Sequence, residues 1–503
     1  MLSRERLQWV GPSTAAFLLG LWAPLSLLIV SLRTYRILKN DALSALALPS
    51  TLLADIAAIS TFGALGVLVF SALGEKTRWR FGAILVAQII TVAWICLELV
   101  AHNFYRVTGS TFDVDLLVYA IARSEETWTL INESTPLPVK IAIGAGTFLA
   151  LCLPWGIRAL WARWREEVPA RVRKGRWAIA MAIAATVALV WPLFRVGGAS
   201  DLVRNATLTF LVSNLRGEDA VGDADGIGFD TRKASLVPRP GLKGRNVVFI
   251  LLESTRASAT SLYNPKLEGT TPHLEKLGKT SIVARNAWAV MPHTSKAIVT
   301  TMCGIPPHLT LKISEAQGAG IPAKCLPELY REQGYATGFF QSATKNFESR
   351  ETLVDNMGFE DFYPLERLGS RKGFEKVNYF GVEDDIMLAP SRRWLKKQAK
   401  DKPFFMTYLT LMSHHDYEVP EGWDKSWGGD KELDAYHSAV HYLDKVVEEV
   451  FAMLERQGRR DDALILIVGD HGEAFGEHGR YLHDDALYQE GIHIPLALSG
   501  PGL

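Results

Sequence analysis

The feature that most constrains this chain is a set of long apolar runs without a charged residue, all within its first 195 residues. There are five such runs, namely Trp9–Leu32, Ile56–Gly74, Phe81–Leu97, Ile141–Ile157 and Trp177–Phe194. A helix needs about 20 mainly apolar residues to cross a bilayer, and flanking charged side chains extend the shorter runs. Buried helices of a large soluble core are the alternative, but five runs in so short a stretch favour membrane spans. The sequence predicts an α-helical membrane bundle of five spans over residues 1–195.

The charges between these runs indicate which side of the membrane each loop faces. Arg158–Arg176 carries seven Arg and Lys residues, and a shorter basic loop, Lys76–Arg80, follows the second run. Cytoplasmic loops are enriched in Lys and Arg, so we assign both loops to the cytoplasm. The acidic loop 102–137 then lies outside. The short basic loop Arg33–Lys39 also falls outside in this topology, contrary to the rule. The prediction is a multi-pass protein of the inner (plasma) membrane whose part after residue 195 is extracytoplasmic, or periplasmic.

The second half of the chain has the pattern of a folded α/β domain. Short continuous apolar runs occur at Asn246–Glu253, Lys402–Leu411 and Ala463–His471, with a helical stretch at Ser438–Gln457. Such runs are typical of strands that are buried on both faces of a parallel sheet. We therefore predict three parts: a transmembrane domain at 1–195, a polar connector at 196–244, and an α/β domain with a mostly parallel sheet at 245–503.

Acidic and imidazole side chains stand at the ends of two of these predicted strands. Glu253 ends the first run, and Asp470 and His471 end the last. In open α/β sheets, ligands bind beyond the carboxyl ends of the strands. Each residue taken alone is equally compatible with a capping or surface role, but their shared position favours a metal site. Carboxylate oxygens with one imidazole suit Mn²⁺ or Zn²⁺, and the sequence does not choose between the two.

A hydroxyl at a helix start is the candidate for activation at such a site. Thr294 lies within Met291–Ala297, directly before the apolar stretch Ile298–Met302 that we predict to be helical. A hydroxyl at a helix N-terminus lies where the helix dipole favours an alkoxide and a bound phosphate. The alternative is that Thr294 is an ordinary N-cap, which is a common role for threonine. Spacing alone leaves both interpretations open.

These residues occur within a longer ordered set of motifs that resembles a known family. The set consists of Asn246–Glu253, Pro292–Lys296, Cys303–Pro306, Gly334–Phe340, Gly358–Phe362, Ser413–Tyr417 and Gly469–Glu473. It resembles the sulfatase-like branch of the alkaline phosphatase superfamily. Within that branch it is most similar to the membrane-anchored phosphotransferases, which include lipoteichoic acid synthases and the phosphoglycerol and phosphoethanolamine transferases. The resemblance covers residues 245–500, and the preceding spans fit the same architecture.

The resemblance implies roles for four residues of the predicted metal site. In the relatives a threonine is the nucleophile and also binds the metal, and Thr294 is the matching residue. The other ligands carry over to Glu253, Asp470 and His471. The implied cofactor is one divalent metal ion, Mn or Zn.

The resemblance also implies histidines that contact the substrate. A His-x-Pro-aromatic motif of the relatives matches Ser413–Tyr417, with Asp416 in place of proline. The substitution leaves the choice between His414 and His415 open, and we favour His414. Either His478 or His483 is expected to contact the transferred group.

The implied reaction is a two-step transfer. A membrane phospholipid donates a phosphoglycerol or phosphoethanolamine headgroup, a phospho-threonine intermediate forms, and a hydroxyl of a cell-envelope glycan or lipid accepts the headgroup. A sulfatase that depends on formylglycine requires a Cys or Ser in Cys/Ser-x-Pro-Ser-Arg, and Pro292–Lys296 provides neither at that place.

Other functional classes are less compatible with the sequence. A phosphoesterase or sulfoesterase that uses the same site with water as acceptor is the main alternative. A transporter is disfavoured because ionisable residues within the spans are few, and a sensor without catalysis is disfavoured because the site residues are intact. Lys and Arg number 54, as do Asp and Glu, so the zero net charge excludes a bulk polycation and we expect no nucleic-acid partner.

The four cysteines divide between the two halves of the chain. Cys96 and Cys152 lie in predicted spans, whereas Cys303 and Cys325 lie in the α/β domain, which the loop charges place in an oxidising compartment. Cys303 follows the predicted nucleophile helix, and Cys325 precedes the next predicted helix start. We predict a disulfide between Cys303 and Cys325. The alternative is two buried thiols that never meet.

Overall fold

The computed structural model describes residues 20–22, 24–32, 34, 77–108, 137–164, 245–308, 313–317, 320–378, 380–483 and 486–503. These residues belong to two units, Met1–Ala220 and Val221–Leu503. The predicted spans Ile56–Gly74 and Trp177–Phe194 and the predicted connector 196–244 lie outside the described residues.

The first unit contributes long apolar helices. Helix α1 spans Thr77–Thr108 and helix α2 spans Leu137–Trp164, and they contain the predicted runs Phe81–Leu97 and Ile141–Ile157. By length and composition, Phe81–His102 is the stretch among the described residues that is able to cross a membrane. Two further stretches, Gly20–Leu32 and Ile143–Ile157, are apolar and helical but shorter.

A buried glutamine joins α1 to α2. The Gln88 side-chain amide donates to the Leu151 carbonyl at 2.8 Å, and the Trp155 indole N–H donates to the Gln88 Oε1 at 2.9 Å. Around it, Leu21, Ile84 and Trp155 pack into a small apolar cluster. A polar side chain that is satisfied on both of its functional groups costs little in an apolar setting and fixes the register of α1 against α2.

The second unit is an α/β domain around one seven-stranded sheet, ordered β2-β9-β6-β1-β5-β3-β4. The sheet strands are β1 (Asn246–Leu252), β2 (Ile282–Val283), β3 (Ala336–Gln341), β4 (Asp361–Tyr363), β5 (Phe404–Leu409), β6 (Ala463–Gly469) and β9 (Leu496–Ser499). The strands from β6 to β4 run parallel, and β9 and β2 add an antiparallel edge. A separate hairpin joins β7 (Ala474–Phe475) to β8 (Tyr481–Leu482). The predicted α/β domain with a mostly parallel sheet is confirmed.

Helices cover both faces of this sheet. They are α3 (Pro272–Gly278), α4 (Thr294–Cys303), α5 (Leu326–Glu332), α6 (Arg350–Asn356), α7 (Leu365–Leu368), α8 (Leu388–Lys397), α9 (Lys431–Arg456) and α10 (Gln489–Ile492). Successive side chains of a strand point to opposite faces. Accordingly Val248 and Ile250 of β1 pack in the apolar core that contains α9, whereas Phe249 and Leu251 pack in the core that contains α4 and α6. All seven residues of β1 are buried, which explains why its sequence is continuously apolar.

The predicted disulfide is present and connects two helices beside the sheet. Cys303 is the last residue of α4 and Cys325 is the N-cap of α5, and their sulfur atoms are bonded. Cys96 and Cys152 are free cysteines. The bond closes a loop of 22 residues in sequence separation, so it restricts the unfolded chain and ties the end of α4 to its neighbour.

Replacing Cys303 and Cys325 together by serine should lower the free energy of unfolding of the α/β domain by about 3 kcal/mol, because the unfolded chain loses its loop constraint. Urea unfolding of the full-length protein in detergent measures the change, with Cys152→Ser as the control that leaves the domain unchanged. Thiol counting of the denatured wild type without reductant should give two free thiols. Four free thiols, or equal stability of the double variant, contradict the role of this bond.

Candidate active site

Two neighbouring parallel strands bring the predicted acidic residues together. Leu252 of β1 is paired with Gly469 of β6, so the next residues, Glu253 and Asp470, leave the same edge of the sheet side by side. His471 follows directly. One ligand atom from each of the three side chains lies within 4.8 Å of the others, and all three side chains are buried. The structure thus brings together the three residues that the sequence predicts as metal ligands.

Ser254 organises the two carboxylates. Its backbone N–H donates to Asp470 Oδ1 at 2.8 Å, and its hydroxyl donates to Glu253 Oε1 at 3.1 Å. The backbone of Ser254 has a φ of 44°, in the left-handed region that few non-glycine residues adopt, and this turn directs both donors at the site. The second oxygens, Glu253 Oε2 and Asp470 Oδ2, are buried and have no hydrogen-bond partner among the described residues.

His471 adds an imidazole nitrogen to the same space. Its Nδ1 lies 2.9 Å from the carbonyl of Gly472, which only accepts, so Nδ1 carries the proton and Nε2 presents its lone pair. Nε2 lies 3.5 Å from Asp470 Oδ2 and 3.6 Å from Glu253 Oε1. Two unsatisfied carboxylate oxygens and one imidazole lone pair form the donor set of a divalent transition-metal site, so the residues present fit Mn²⁺ or Zn²⁺.

The pKa values of the three side chains indicate that the two carboxylates hold protons in the absence of a cation. Burial raises the pKa of Glu253 well above its usual value, and the nearby Asp470 adds to this. Burial likewise raises the pKa of Asp470 to about 7, against the hydrogen bonds that it accepts. Burial and the neighbouring His483 lower the pKa of His471 to about 4, so its imidazole is neutral. Without a cation, the carboxylates therefore retain protons that a metal ion would displace.

Thr294 lies against this group as the first residue of α4. Its hydroxyl Oγ1 is 3.1 Å from Glu253 Oε1 and 3.3 Å from His471 Nε2, and the residue is 1% exposed. The N-cap of α4 is His293, so the alternative that Thr294 is an ordinary N-cap is wrong. The hydroxyl lies instead between a carboxylate and an imidazole at the positive end of a helix, where loss of its proton is favoured.

A buried ion pair holds α4 from the side. Lys296 Nζ lies 2.7 Å from Glu315 Oε2, and both side chains are almost fully buried. The other oxygen of Glu315 accepts the backbone N–H of His308 at 2.9 Å. Removing one partner of such a pair leaves a buried charge unpaired, so this contact fixes the start of α4 to the segment that follows the helix.

Next to Thr294 lies a group of hydrogen-bond donors around one carboxylate, which the sequence did not predict. The carboxylate Oε2 of Glu348 accepts the Ser295 backbone N–H at 3.1 Å, the Ser295 hydroxyl at 2.7 Å and an Arg350 Nη2–H at 3.0 Å. Its Oε1 lies 3.4 Å from His293 Nε2. Burial alone would raise the pKa of Glu348, but His293, Arg350 and Ser295 outweigh burial and lower the pKa to about 2. The carboxylate is therefore ionised and sits at the N-terminus of α4.

Of the predicted substrate histidines, His483 lies beside His471, and His414 lies next to His483. The His483 ring centroid is 4.2 Å from that of His471 and 5.8 Å from that of His414. His483 Nδ1 lies 3.0 Å from the buried carboxylate of Glu473. Burial, together with the neighbouring His415, lowers the pKa of His414 well below its usual value, so its imidazole is neutral.

The structure directs His478 elsewhere. Its Nδ1 lies 2.8 Å from Glu490 Oε1, its ring stacks on Tyr488 with centroids 4.0 Å apart, and its side chain is 54% exposed. A φ of 53° at His478 turns the side chain into this arrangement. Between the two histidines that the sequence left open, the structure therefore favours His483 at the site.

Asp470→Asn should lower the affinity of the protein for Zn²⁺ or Mn²⁺ at least about 100-fold, because the site loses a charged oxygen ligand. In the wild type the affinity should rise as pH rises through about 7, because protons on Asp470 compete with the metal below that pH. Metal analysis of full-length protein after dialysis against each ion gives the occupancy. Asp462→Asn, an exposed carboxylate at the other end of β6, is the matched control. Full occupancy in Asp470→Asn removes Asp470 from the ligand set.

Comparisons with known proteins identify the family of the α/β domain. The family model described as Sulfatase matches residues 245–503. Lipoteichoic acid synthase 1 of Bacillus subtilis (strain 168) is 26% identical over 281 residues, which cover 52% of this chain and 42% of that protein. Lipoteichoic acid synthase of Staphylococcus aureus (strain USA300) is 27% identical over 264 residues, which cover 48% of this chain and 38% of that protein. The chain thus spans about two fifths of the length of these curated relatives.

A solved structure extends the likeness of fold to nearly the whole chain. It is the integral membrane protein lipooligosaccharide phosphoethanolamine transferase A from Neisseria meningitidis, with a TM-score of 0.62 and 15% identity over 96% of this chain and 88% of that chain. At this identity the likeness shows the fold alone. The Sulfatase match, in contrast, covers more than half of the chain and the whole α/β domain with its site. The chain therefore belongs to the Sulfatase family, within the alkaline phosphatase superfamily, as the motifs of the sequence predict.

Proposed function

We propose that this protein transfers a phospholipid-derived headgroup, phosphoglycerol or phosphoethanolamine, to an extracytoplasmic hydroxyl acceptor through a phospho-threonine intermediate on Thr294. The observation that carries the proposal is the hydroxyl of Thr294, which is buried at the N-terminus of α4 between Glu253 and His471. Relatives in the same family are named as lipoteichoic acid synthases, and a protein of similar fold is named as a phosphoethanolamine transferase. These names support transfer over hydrolysis.

The proposed setting is a membrane. Residues 1–195 form five spans, 196–244 a connector, and 245–503 an extracytoplasmic catalytic domain on the periplasmic side of the inner membrane. The apolar helix Phe81–His102 supports this arrangement, as does the similarity of fold over 96% of the chain to an integral membrane protein. A bundle of spans suits a donor that remains in the bilayer, and the acceptor is then a glycan or lipid of the cell envelope.

The proposed ligands of one divalent ion, Mn or Zn, are Glu253, Thr294, Asp470 and His471. When bound, such an ion supplies positive charge that stabilises an ionised hydroxyl and the negative charge on a phosphoryl group. The chain's own part is to present two unsatisfied carboxylate oxygens and a neutral imidazole, and to exclude water from them by burial.

In the proposed first step, Thr294 Oγ forms a bond to the donor phosphorus while the bond from phosphorus to the diacylglycerol oxygen breaks. The threonine proton passes to Glu253 Oε1, which already accepts the hydrogen bond from that hydroxyl. In the second step, an acceptor hydroxyl attacks the phosphorus and Thr294 Oγ leaves with a proton. That proton is the one that Glu253 took up in the first step, in which the diacylglycerol oxygen takes a proton from solvent. The neutral imidazole of His414, or the neighbouring His483, accepts the proton that the acceptor hydroxyl loses and then releases it to solvent.

Thr294→Ala should lower headgroup transfer about 10³-fold or more while the protein remains folded, because the hydroxyl that attacks the phosphorus is removed. Full-length protein in detergent is incubated with phosphatidylglycerol or phosphatidylethanolamine that is labelled in the headgroup. Peptide mass spectrometry should locate the labelled headgroup on Thr294 in the wild type. Thr301→Ala, in the same helix, is the matched control and should retain the adduct.

The fate of the label separates the candidate functions. Label that moves from lipid to a second hydroxyl compound supports a transferase, whereas label released only into water supports the hydrolase alternative. Turnover of Thr294→Ala within a few-fold of the wild type, or an adduct on Ser295 instead, contradicts the assignment of the nucleophile.

A further inference from the structure

The Glu348 carboxylate occupies a site whose donors are those of a phosphate-binding site. The carboxylate is surrounded, at 2.7 to 3.4 Å, by a backbone N–H at the N-terminus of α4, the Ser295 hydroxyl, the Arg350 guanidinium and the His293 imidazole. Helix N-termini, guanidinium groups and hydroxyls are the groups with which proteins bind phosphoryl oxygens. Here an anion of the chain itself fills that position.

Arg350 shows that this site has unused capacity for an anion. The residue is fully buried, and its Nε and Nη1 atoms have no hydrogen-bond partner among the described residues. A guanidinium offers five N–H donors, and a single hydrogen bond to Glu348 leaves most of them unsatisfied. A buried donor without a partner is costly, so the guanidinium is preorganised for a ligand with more acceptor oxygens than one carboxylate provides.

The Glu348 carboxylate lies next to the proposed nucleophile, Thr294. Ser295, which donates to Glu348 through both its backbone and its side chain, is the residue directly after Thr294. A phosphorus atom bonded to Thr294 Oγ carries its remaining oxygens within reach of the same helix terminus. The Glu348 carboxylate and those oxygens compete for the same donors, and two anions are not accommodated together.

The backbone at Glu348 and Ser349 is strained, so contacts must hold the segment in this conformation. Glu348 and Ser349 have φ values of 50° and 54°, two consecutive non-glycine residues in the left-handed region. Each of these conformations is unfavourable unless surrounding contacts compensate. The contacts that fix the segment include Phe347, whose ring centroid lies 3.9 Å from that of Phe380. Within the part of the chain that the structure describes, the contacts of the carboxylate itself are with Ser295, Arg350 and His293.

Recognition of a cationic headgroup is a different role that these contacts exclude. A carboxylate that binds an ammonium group needs free lone pairs and an unbalanced negative charge. Glu348 instead pairs with the Arg350 guanidinium at 3.0 Å, which balances its charge, and its other oxygen lies 3.4 Å from His293 Nε2.

We propose that Glu348 is a displaceable latch, an internal anion in the place of the donor's phosphoryl oxygens, and that donor binding moves it off the α4 terminus. The inference rests on the proposed function only in taking a phosphodiester as the ligand. The latched state reduces apparent affinity by the fraction of molecules in which the site is open. The latch keeps the terminus of α4 filled by an anion until a donor competes for it.

Binding of inorganic phosphate to the full-length protein in detergent, at a fixed metal content, tests this proposal. Glu348→Gln should bind phosphate about tenfold more tightly than the wild type, as expected if about a tenth of the wild type is unlatched. Glu348→Asp retains the negative charge but is one methylene shorter and does not reach Ser295, so it should also bind more tightly. Glu351→Gln, which removes an exposed carboxylate paired with Lys345 one turn away, should bind like the wild type.

The variants separate a latch from simple repulsion and from a supporting role. If Glu348→Asp binds phosphate like the wild type, the negative charge at position 348 weakens phosphate binding without occupying the α4 terminus, and the latch is refuted. Weaker binding in Glu348→Gln and Glu348→Asp means that Glu348 positions Arg350, which also refutes it. If Glu348→Gln does not fold, as judged by its melting curve, Glu348→Asp decides alone. Tighter phosphate binding without any headgroup transfer in the wild type supports the latch and rejects the proposed function, so the two failures are distinguishable.

Discussion

The site depends on the parallel pairing of β1 with β6. The register that places Leu252 opposite Gly469 forces Glu253 and Asp470 to emerge together at the carboxyl edge of the sheet, inside the protein. Two carboxylates in so dry a place repel each other and lose their hydration, and burial raises both pKa values. Such a cost is tolerated where a cation compensates it, and the second oxygens of both groups have no hydrogen-bond partner among the described residues.

The rest of the domain holds one helix against this pair of carboxylates. Helix α4 is fixed near its start by the buried pair Lys296–Glu315 and at its end by the bond from Cys303 to Cys325. The carboxylate of Glu348 accepts the backbone N–H of Ser295, the second residue of α4. These contacts keep the hydroxyl of Thr294 within 3.3 Å of both Glu253 and His471. Covalent, ionic and hydrogen-bond constraints thus converge on the position of a single oxygen atom.

Residues whose position follows from the strands were predictable from the sequence. Glu253, Asp470 and His471 end continuous apolar runs, and parallel strands gather their carboxyl ends at one edge, so their proximity follows once the strands are recognised. The start of α4 at Thr294 followed from the apolar stretch behind it, and the resemblance to a family gave the threonine its implied role. The pairing of Cys303 with Cys325 followed from their places beside predicted helices.

Residues whose position depends on irregular backbone were not predictable. Glu348 and Ser254 act through left-handed conformations that no local pattern in the sequence indicates, since neither is a glycine. Lys296 and Glu315 are 19 residues apart in the sequence, and no local pattern pairs them. His478 and His483 are equivalent candidates in the sequence, and a turn at His478 decides between them by directing it to Glu490.

The central claim is that a buried carboxylate pair, an imidazole and the hydroxyl of Thr294 converge on one divalent cation. Anomalous diffraction from crystals of the full-length protein grown with Zn²⁺ or Mn²⁺ tests it most directly. The account predicts one strong anomalous peak in contact with Glu253 Oε2, Asp470 Oδ2, His471 Nε2 and Thr294 Oγ1. A peak held elsewhere, with none in contact with these four atoms, would contradict it.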